Sequence, residues 1–389
     1  MKTNKRFLIL TSDSGFGHRS AAKSVLKALE VQYPDQVECL IINPILETDL
    51  PKFMKQIDTG YDKRIKSSPQ FYRFTYEISD SRPVSEVLEG ALTLALQKNI
   101  RQLIGDVQPD AILSTNQMFN SPTGAVLKDL DKPIPFFTAV TDMADVHSLW
   151  FGNAPDRFFV ASDWVKIKAV ENGIPERKIT ISGIPVDPEF MMHSQQVGLL
   201  REKLGLKPGV TTILFVGSVR VDNIKENLEA LEKVACPIQV VVITGGDHDL
   251  FTQLSGIEFG FPLYLQDFVT NMPEWMLASD VLITKAGGLI LSEGLAAGLP
   301  IVIIDYLPGQ EEGNVRFVLG HQAGSWVQNP EELTSTLDYW LCDGQKRLRM
   351  VACNARDLGH PDSALTIASA LWDASEPHVD QPIPEDKLE

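Results

Sequence analysis

Short apolar runs alternate with amphipathic helical patterns along most of the chain. Runs typical of buried parallel strands lie in the first half at residues 7–11, 37–43, 110–115, 134–140 and 157–162. The alternation starts again further on, with runs at residues 211–217, 238–244, 262–266, 280–284 and 300–305. Strands that alternate with helices form parallel sheets, so the pattern predicts an α/β fold with two doubly wound parallel-sheet domains facing a cleft.

The length of 389 residues also fits two domains of ordinary size. We expect the first domain at residues 1–190 and the second at residues 191–372. The pattern leaves open whether the final helix packs back on the first domain. Residues 179–190 end in prolines and predict the linker between the domains. Residues 373–389 are acidic and contain prolines, which is typical of a disordered tail.

Charge and cysteine content narrow the class of protein. The first 190 residues contain 22 basic and 24 acidic side chains, whereas the remainder contains 13 and 27. An acidic chain is a poor match for nucleic acid, so no nucleic-acid partner is expected, and the first half alone can approach an anionic surface without strong repulsion. No apolar run approaches the roughly 18 residues of a membrane-spanning helix. Four scattered cysteines predict reduced thiols in the cytoplasm and no metal site.

One segment, residues 52–73, combines six basic residues and two acids with interleaved aromatic side chains. Basic and aromatic side chains together suit a membrane interface, so this segment is a candidate for peripheral membrane contact. The alternative is a solvated helix face whose aromatic residues lie in the core.

The first chemistry-bearing stretch joins the first apolar run to a helical pattern through a loop with two glycines. Gly17 ends this loop and His18 follows it, at the edge of the sheet where ligands of parallel α/β folds bind. A neutral imidazole at such a position can accept a proton near neutral pH. The alternative is that His18 caps or packs against the helix.

A second stretch follows the apolar run at residues 134–140. It contains Asp142, Asp145 and His147, at the same edge of the predicted first sheet. A carboxylate near His18 can orient its imidazole and stabilise the protonated form. Asp142 can equally cap the next turn.

Two further loops of the second half carry polar groups after strands. Gly287 and Gly288 join a strand to a helix and can present backbone N–H groups to a phosphate. Glu293, one turn into that helix, can accept hydrogen bonds from a ribose diol. Gln310 and Glu311 follow the next strand and have the chemistry to hold sugar hydroxyls. For the stretch from Gly287 to Glu293, the alternative is an ordinary tight turn with an exposed glutamate.

These stretches, taken in order, resemble GT-B glycosyltransferases of the monogalactosyldiacylglycerol synthase and diacylglycerol glucosyltransferase group. This group is glycosyltransferase family 28, related to the peptidoglycan lipid-intermediate N-acetylglucosaminyltransferase. The similar segments are residues 12–22, 140–150, 182–186, 268–272, 285–293 and 308–314. They span nearly the whole chain, so the resemblance covers two Rossmann-like domains.

The resemblance implies an inverting, metal-independent hexose transfer from a UDP-sugar to diacylglycerol. The first domain would take the lipid acceptor and meet the membrane surface, and the second would bind the UDP-sugar. The UDP-sugar is a co-substrate, so no resident cofactor is expected. His18 would be the general base, with Asp142 and His147 near the acceptor.

The resemblance also assigns the donor-binding residues. Phe268 and Val269 would lie at the uracil, Glu293 at the ribose, and Gln310 and Glu311 at the sugar. The remaining donor-binding residues would be Gly17, Gly217, Ser218, Arg220, Gly287 and Gly288.

Two loops depart from the family pattern. Phe16 replaces a glycine before His18, and the loop after residue 217 contains Ser218 and Arg220 where the family has more glycines. Arg220 can replace the lost backbone donors by its charge. The departure keeps two alternatives open, which are a UDP-sugar epimerase of the same fold and a non-catalytic UDP-sugar or lipid sensor. The choice between galactose and glucose stays open, although residues 18–19 and 305–308 are slightly closer to the galactosyl enzymes.

Overall fold

The structure, a computed structural model, describes residues 4–13, 17–46, 80, 82–152, 154–217 and 223–375. The chain divides into two compact units. The first comprises residues up to 188 with residues 308–310 and those from 362 onward, and the second comprises residues 189–307 and 311–361. Each unit contains one six-stranded parallel sheet, so the predicted α/β class with two parallel-sheet domains is confirmed.

The first sheet has the strand order β2-β1-β3-β4-β5-β6. Its strands are β1 (Lys5–Leu10), β2 (Val37–Ile42), β3 (Ala111–Ser114), β4 (Phe136–Ala139), β5 (Arg157–Val160) and β6 (Ile179–Ile181). β1, β3 and β4 lie inside the sheet and are covered on both faces. Their side chains are therefore apolar almost without interruption, which is the pattern that predicted them.

The described helices of the first unit cover both faces of this sheet. They are α1 (Gly17–Gln32), α2 (Arg82–Val107), α3 (Asn120–Leu127), α4 (Asp163–Glu171) and, at the end of the chain, α14 (Ser363–Ala374). α1 and α14 pack on one face, where Val25 and Leu29 meet Ile367 and Leu371 in a common core. α2 and α3 cover the other face. The last helix of the chain thus belongs to the first unit.

The second sheet has the order β12-β11-β10-β7-β8-β9. Its strands are β7 (Thr211–Val216), β8 (Ile238–Ile243), β9 (Leu263–Gln266), β10 (Val281–Lys285), β11 (Ile301–Asp305) and β12 (Gly324–Trp326). Its helices are α5 (Glu189–Met192), α6 (Val197–Lys203), α7 (Ile224–Leu231), α8 (His248–Ser255), α9 (Met272–Leu277), α10 (Gly288–Ala296), α11 (Glu312–Gly320), α12 (Pro330–Leu341) and α13 (Lys346–Leu358).

Two predicted boundaries are corrected. Residues 179–190 are not a linker throughout, because Ile179–Ile181 forms edge strand β6 beside β5 and α5 starts at Glu189. The tail cannot start at Asp373, because α14 continues to Ala374. Residues 376–389 lie outside the described part of the chain, as does the candidate membrane segment at residues 52–73. No helix among the described residues is long and apolar enough to cross a membrane.

Candidate functional site

His18 is the second residue of α1, at the carboxyl edge of the first sheet. Thr115 directly follows β3, and Thr141 lies two residues past the end of β4, so both reach the same edge. The Nδ1 atom of His18 lies 2.8 Å from the carbonyl oxygen of Thr115 and 2.8 Å from the hydroxyl oxygen of Thr141. Both threonines are buried.

The carbonyl contact decides which ring nitrogen of His18 carries the proton. A carbonyl oxygen only accepts hydrogen bonds, so Nδ1 must be the protonated nitrogen, and the Thr141 hydroxyl accepts from the same N–H. In the neutral ring the basic lone pair is then on Nε2. This is the arrangement of a general base whose second nitrogen is held by the protein.

Thr115 is itself fixed by the strand ends around it. Its backbone N–H donates to the Leu10 carbonyl at 2.9 Å, and its hydroxyl donates to the His18 carbonyl at 3.1 Å and lies 3.0 Å from the Thr11 hydroxyl. No motif in the sequence predicts a role for Thr115 or Thr141. The one available signal was that Thr115 ends a predicted strand and Thr141 follows one, at the ligand-binding edge.

Asp142 joins this cluster through Trp150. The indole N–H of Trp150 donates to the Asp142 carboxylate at 2.8 Å, and the fully buried Trp150 ring lies with its centroid 6.3 Å from that of His18. The Asn120 amide donates to the Trp150 carbonyl at 3.0 Å and holds the backbone of this turn. The two contacts described above on the His18 Nδ1 come from neutral groups, whereas the sequence suggests a carboxylate for that role.

His147 is buried and caps the short helix Ser148–Phe151. Its Nδ1 accepts a hydrogen bond from the Leu149 N–H at 3.1 Å, which requires that nitrogen to be unprotonated. Burial lowers the pKa of His147, and Lys168 adds to this, although the nearby Asp80 carboxylate opposes it. The structure therefore shows His147 as a neutral capping residue of the loop that carries Asp142.

Asp13, Arg19 and Asn43 form a second polar cluster near the start of α1. Arg19 forms an ion pair with Asp13, and the Asn43 amide donates to Asp13 at 2.9 Å. Burial of Asp13 favours its neutral form, but the hydrogen bonds from Arg19 and Asn43 and the charges of Arg19 and Lys23 outweigh this and lower the pKa of the carboxyl group. Asp13 is thus held ionised at the loop before His18.

In the second unit, Gly217 follows β7 and packs closely against α7. A Cβ atom there would lie 2.7 Å from Cδ1 of Ile224, which is the first residue of α7. Ser218 and Arg220, two of the predicted donor-binding residues, lie outside the described residues, and their roles stay predictions.

Gly287 and Gly288 form the turn from β10 into α10, as predicted. Gly287 is the residue that precedes the helix, and it has no side chain to cap the amides of the first turn. Uncapped amides at a helix N-terminus favour an anion. Glu293 lies half-buried in the second turn of α10, and Gln310 lies half-buried in the loop after β11.

Glu311 forms a buried ion pair that the sequence did not reveal. Its Oε1 accepts from the ammonium group of Lys285, and its Oε2 accepts from the Leu307 N–H at 2.8 Å. The amide of Asn314 donates to the Ala286 carbonyl at 2.9 Å and ties α11 to the same turn, while its buried Oδ1 has no hydrogen-bond partner among the described residues. Glu311, which is predicted to bind the sugar, therefore also has a structural role, because it fixes the loop between β11 and α11.

Phe268 is exposed over 68% of its surface, and Val269 beside it is half-buried, in the loop after β9. The preceding residue, Asp267, accepts hydrogen bonds from the Thr244 hydroxyl at 3.0 Å and pairs with His248 at 2.7 Å. An exposed phenylalanine on an anchored loop can stack on a planar ligand. Among the described residues, no three His, Cys, Asp or Glu side chains are grouped to hold a metal ion.

Two family profiles match the chain in succession. The profile described as monogalactosyldiacylglycerol (MGDG) synthase matches residues 18–186, and the glycosyltransferase family 28 C-terminal domain matches residues 211–346. A protein of Nicotiana tabacum named probable monogalactosyldiacylglycerol synthase, chloroplastic, is 30% identical over 373 residues, which cover 93% of this chain and 69% of that protein. The chain belongs to the monogalactosyldiacylglycerol synthase family.

A further member of this family supports the assignment. Monogalactosyldiacylglycerol synthase 2, chloroplastic, of Arabidopsis thaliana is 28% identical over 383 residues, which cover 96% of this chain and 81% of that protein. The family resemblance predicted from the motifs is thereby confirmed, and the chain is a glycosyltransferase.

Solved structures agree on the fold. MurG of Acinetobacter baumannii aligns with a TM-score of 0.59 at 13% identity, over 95% of this chain and 99% of that one. UDP-GlcNAc 2-epimerase of Neisseria meningitidis aligns with a TM-score of 0.58 at 13% identity, over 95% and 100%. At this identity the likeness concerns the GT-B architecture alone, and that architecture is shared by a transferase and an epimerase.

Proposed function

We propose that this protein transfers a hexose from a UDP-sugar to the free hydroxyl of diacylglycerol, with inversion at the anomeric carbon. The family assignment supports the substrate classes, because the relatives above are named monogalactosyldiacylglycerol synthases. A structural neighbour, Anabaena Alr3699/HepE, was solved in complex with UDP-glucose, and it aligns with a TM-score of 0.53 at 14% identity, over 95% of this chain and 98% of that one.

The observation that carries the proposal is the fixed tautomer of His18. With Nδ1–H bound to the Thr115 carbonyl, Nε2 is the ring atom that can take a proton from the acceptor hydroxyl. The hydroxyl oxygen then attacks the anomeric carbon as the bond from that carbon to the β-phosphate oxygen breaks. The bonding electron pair leaves with UDP. One displacement of this kind inverts the anomeric centre.

The second unit supports the donor side of this reaction. The uncapped N-terminus of α10 favours the negative charge that grows on the departing diphosphate. We propose that Phe268 and Val269 contact the uracil, Glu293 the ribose, and Gln310 and Glu311 the sugar, as the family resemblance implies. Galactose is the donor sugar that we propose first, because the relatives' names specify a galactolipid product.

We also propose that the first unit meets a membrane surface, since diacylglycerol resides in membranes. The support comes from the basic and aromatic residues at 52–73 and from the nearly balanced charge of the first half. Replacing Lys52, Lys55, Lys63, Arg64 and Lys66 with Gln should reduce sedimentation with anionic liposomes. Unchanged sedimentation would remove this segment as the membrane contact.

The experiment for the main proposal is UDP release from a panel of UDP-sugars, with and without diacylglycerol in mixed micelles. We expect UDP release that depends on the lipid, with UDP-galactose preferred over UDP-glucose. Release should collapse in His18→Ala. Turnover of the UDP-sugar without lipid would favour the epimerase alternative, and binding without turnover would favour a sensor. Lipid-dependent release that persists in His18→Ala would exclude His18 as the base.

A further inference from the structure

Lys285 lies in the donor-binding loop and has no role in the function proposed so far. It is the last residue of β10, and the register between β10 and β11 shifts between Thr284 and Lys285, where Lys285 pairs with Asp305. The Ala286 N–H donates to the Asp305 carbonyl at 2.8 Å and fixes this irregularity. The bulge thus sets the position of Lys285 two residues before the turn into α10.

The ammonium group of Lys285 lies beside the N-terminus of α10. A Cβ atom built on Gly287 would lie 3.3 Å from Nζ of Lys285. A positive charge near a helix N-terminus is unfavourable unless an anion balances it. Glu311 supplies one such anion, and the two side chains are only 19% and 11% exposed. The Lys285 ammonium and the N-terminus of α10 therefore both place positive charge at this turn, and the Glu311 carboxylate pairs with the ammonium.

Glu311 leaves part of the hydrogen-bonding capacity of Lys285 unused. An ammonium group has three N–H donors, and within the described part of the chain Glu311 is its one ion-pair partner. The Glu311 carboxylate is in turn fixed by the Leu307 N–H at 2.8 Å, so it also sets the direction of the ammonium group. Two donors of a preorganised cation remain for a ligand at the N-terminus of α10.

We propose that Lys285 is a catalytic residue that binds the β-phosphate of the UDP-sugar and stabilises the charge that develops there as UDP leaves. This inference rests on the proposed UDP-sugar donor. The electron pair of the breaking bond goes to the β-phosphate oxygen, and the ammonium group compensates that charge. Glu311 acts as a positioning residue for Lys285, since it holds the ammonium beside α10.

The sequence of the other donor loop gives a reason for a fixed cation at this place. The stretch after β7 reads Gly217-Ser218-Val219-Arg220-Val221, with one glycine in five residues. A loop with few glycines lets fewer backbone N–H groups approach a diphosphate closely. Charge from Lys285 replaces part of that interaction.

The test compares the affinities of UMP, UDP and a UDP-hexose for the wild type, Lys285→Met and Glu311→Gln by calorimetry. Lys285→Met should weaken UDP and UDP-hexose about 10- to 100-fold, as for a lost charge-assisted hydrogen bond, and should change UMP, which lacks the β-phosphate, by about threefold at most. Glu311→Gln keeps the ammonium group but removes the charge that positions it, so it should weaken UDP less than Lys285→Met does and should leave UMP within about threefold. Lys285→Arg should restore most of the UDP affinity.

A purely structural ion pair predicts a different pattern. Lys285→Met and Glu311→Gln would then both lower the affinities of UMP, UDP and the UDP-hexose by similar factors, and that result would overturn the proposal. Unchanged UDP affinity in Lys285→Met would overturn it as well. The double variant Lys285→Met/Glu311→Gln leaves no buried unpaired charge, so it keeps the test readable if the single variant unfolds, and it should show the same UDP-specific loss. Because binding needs no lipid, a wild type that lacks lipid-dependent turnover contradicts the proposed function without affecting this test.

Discussion

The two candidate sites of this protein are held in place by different physical means. In the first unit, His18 is oriented by a carbonyl and a hydroxyl group, both neutral, and by packing near a buried tryptophan. In the second unit, Lys285 and Glu311 form a largely buried ion pair beside an uncapped helix N-terminus. The carbonyl and hydroxyl groups fix the tautomer of the proposed base without adding charge at Nδ1, whereas concentrated charge serves to bind an anion.

The comparison also shows that the net charge of a region does not predict its local chemistry. The second half has 27 acidic and 13 basic residues, yet the loop that we propose for donor binding contains an ammonium group and a helix N-terminus. The first half is nearly neutral, yet it is the half that we expect at an anionic surface. The local chemistry depends on the few charges that the fold places at the ends of strands.

The largest effect is expected at His18. His18→Ala should lower kcat by about 10³-fold, which is within the usual contribution of a general base. His193→Ala is a matched control, because His193 is an accessible histidine that contacts Gln196 beyond the first sheet. Initial rates of lipid-dependent UDP release measure both. A comparable loss in the control would mean that the effect is not specific to the proposed base.

The ion pair of the second unit should matter for stability as well. Lys285→Met leaves Glu311 largely buried without its partner, and we expect a loss of about 2 kcal/mol in the free energy of unfolding, less than for a fully buried pair. Lys203→Met is the matched control, because Lys203 pairs with Glu274 while its side chain is 61% exposed. That variant should lose less than about 1 kcal/mol. Urea denaturation measures both, and equal losses would show that burial of the pair is unimportant.

Thr141 should have a smaller effect on catalysis than His18. Thr141→Val removes the hydroxyl beside Nδ1 but leaves the Thr115 carbonyl in place, so kcat should fall by about tenfold or less, the worth of one hydrogen bond. Thr141→Ser keeps the hydroxyl and should retain most of the activity. The two rates, measured under the same conditions, separate the hydrogen bond from the packing of the side chain. A serine variant as slow as the valine variant would assign the effect to packing.

The smallest effect is expected from His147. The pKa of His147 is lower in the folded protein than its value of about 6.5 in the unfolded chain. As the pH falls through about 6.5, the unfolded chain therefore takes up this proton before the folded protein does, and the free energy of unfolding should decrease. His147→Asn keeps an acceptor for the Leu149 N–H but does not titrate, so its stability should depend less on pH. Melting temperatures at pH 5 to 8 test this. Parallel curves for the two proteins would contradict it.

Much of the fold follows from local pattern, and most of what does not follow depends on long-range pairing. The long apolar runs predicted β1 and β7, but β6 and β12 have three residues each and are set by pairing with β5 and β11. Gly287 and Gly288 form the predicted turn from a strand into a helix, because two glycines after an apolar run are typical of such a turn.

The contacts within the sites were harder to predict. Thr115 and Thr141 gain their roles only because parallel pairing brings the ends of β1, β3 and β4 together. Lys285 of the Lys285–Glu311 pair lies at a register shift between β10 and β11, and no local sequence pattern predicts that shift. The sequence therefore predicts which edge carries the chemistry better than it predicts which side chains meet there.

The most direct test of the central claim is the protonation state of the two ring nitrogens of His18. Protein with ¹⁵N-labelled histidine, with the His18 signals assigned by comparison with His18→Gln, would show the tautomer in ring ¹⁵N–¹H correlation spectra. We expect the proton on Nδ1 and the lone pair on Nε2 at neutral to mildly alkaline pH, as the Thr115 carbonyl requires. A neutral ring with its proton on Nε2 would contradict the account, because the nitrogen offered to the acceptor hydroxyl would then be unable to take its proton.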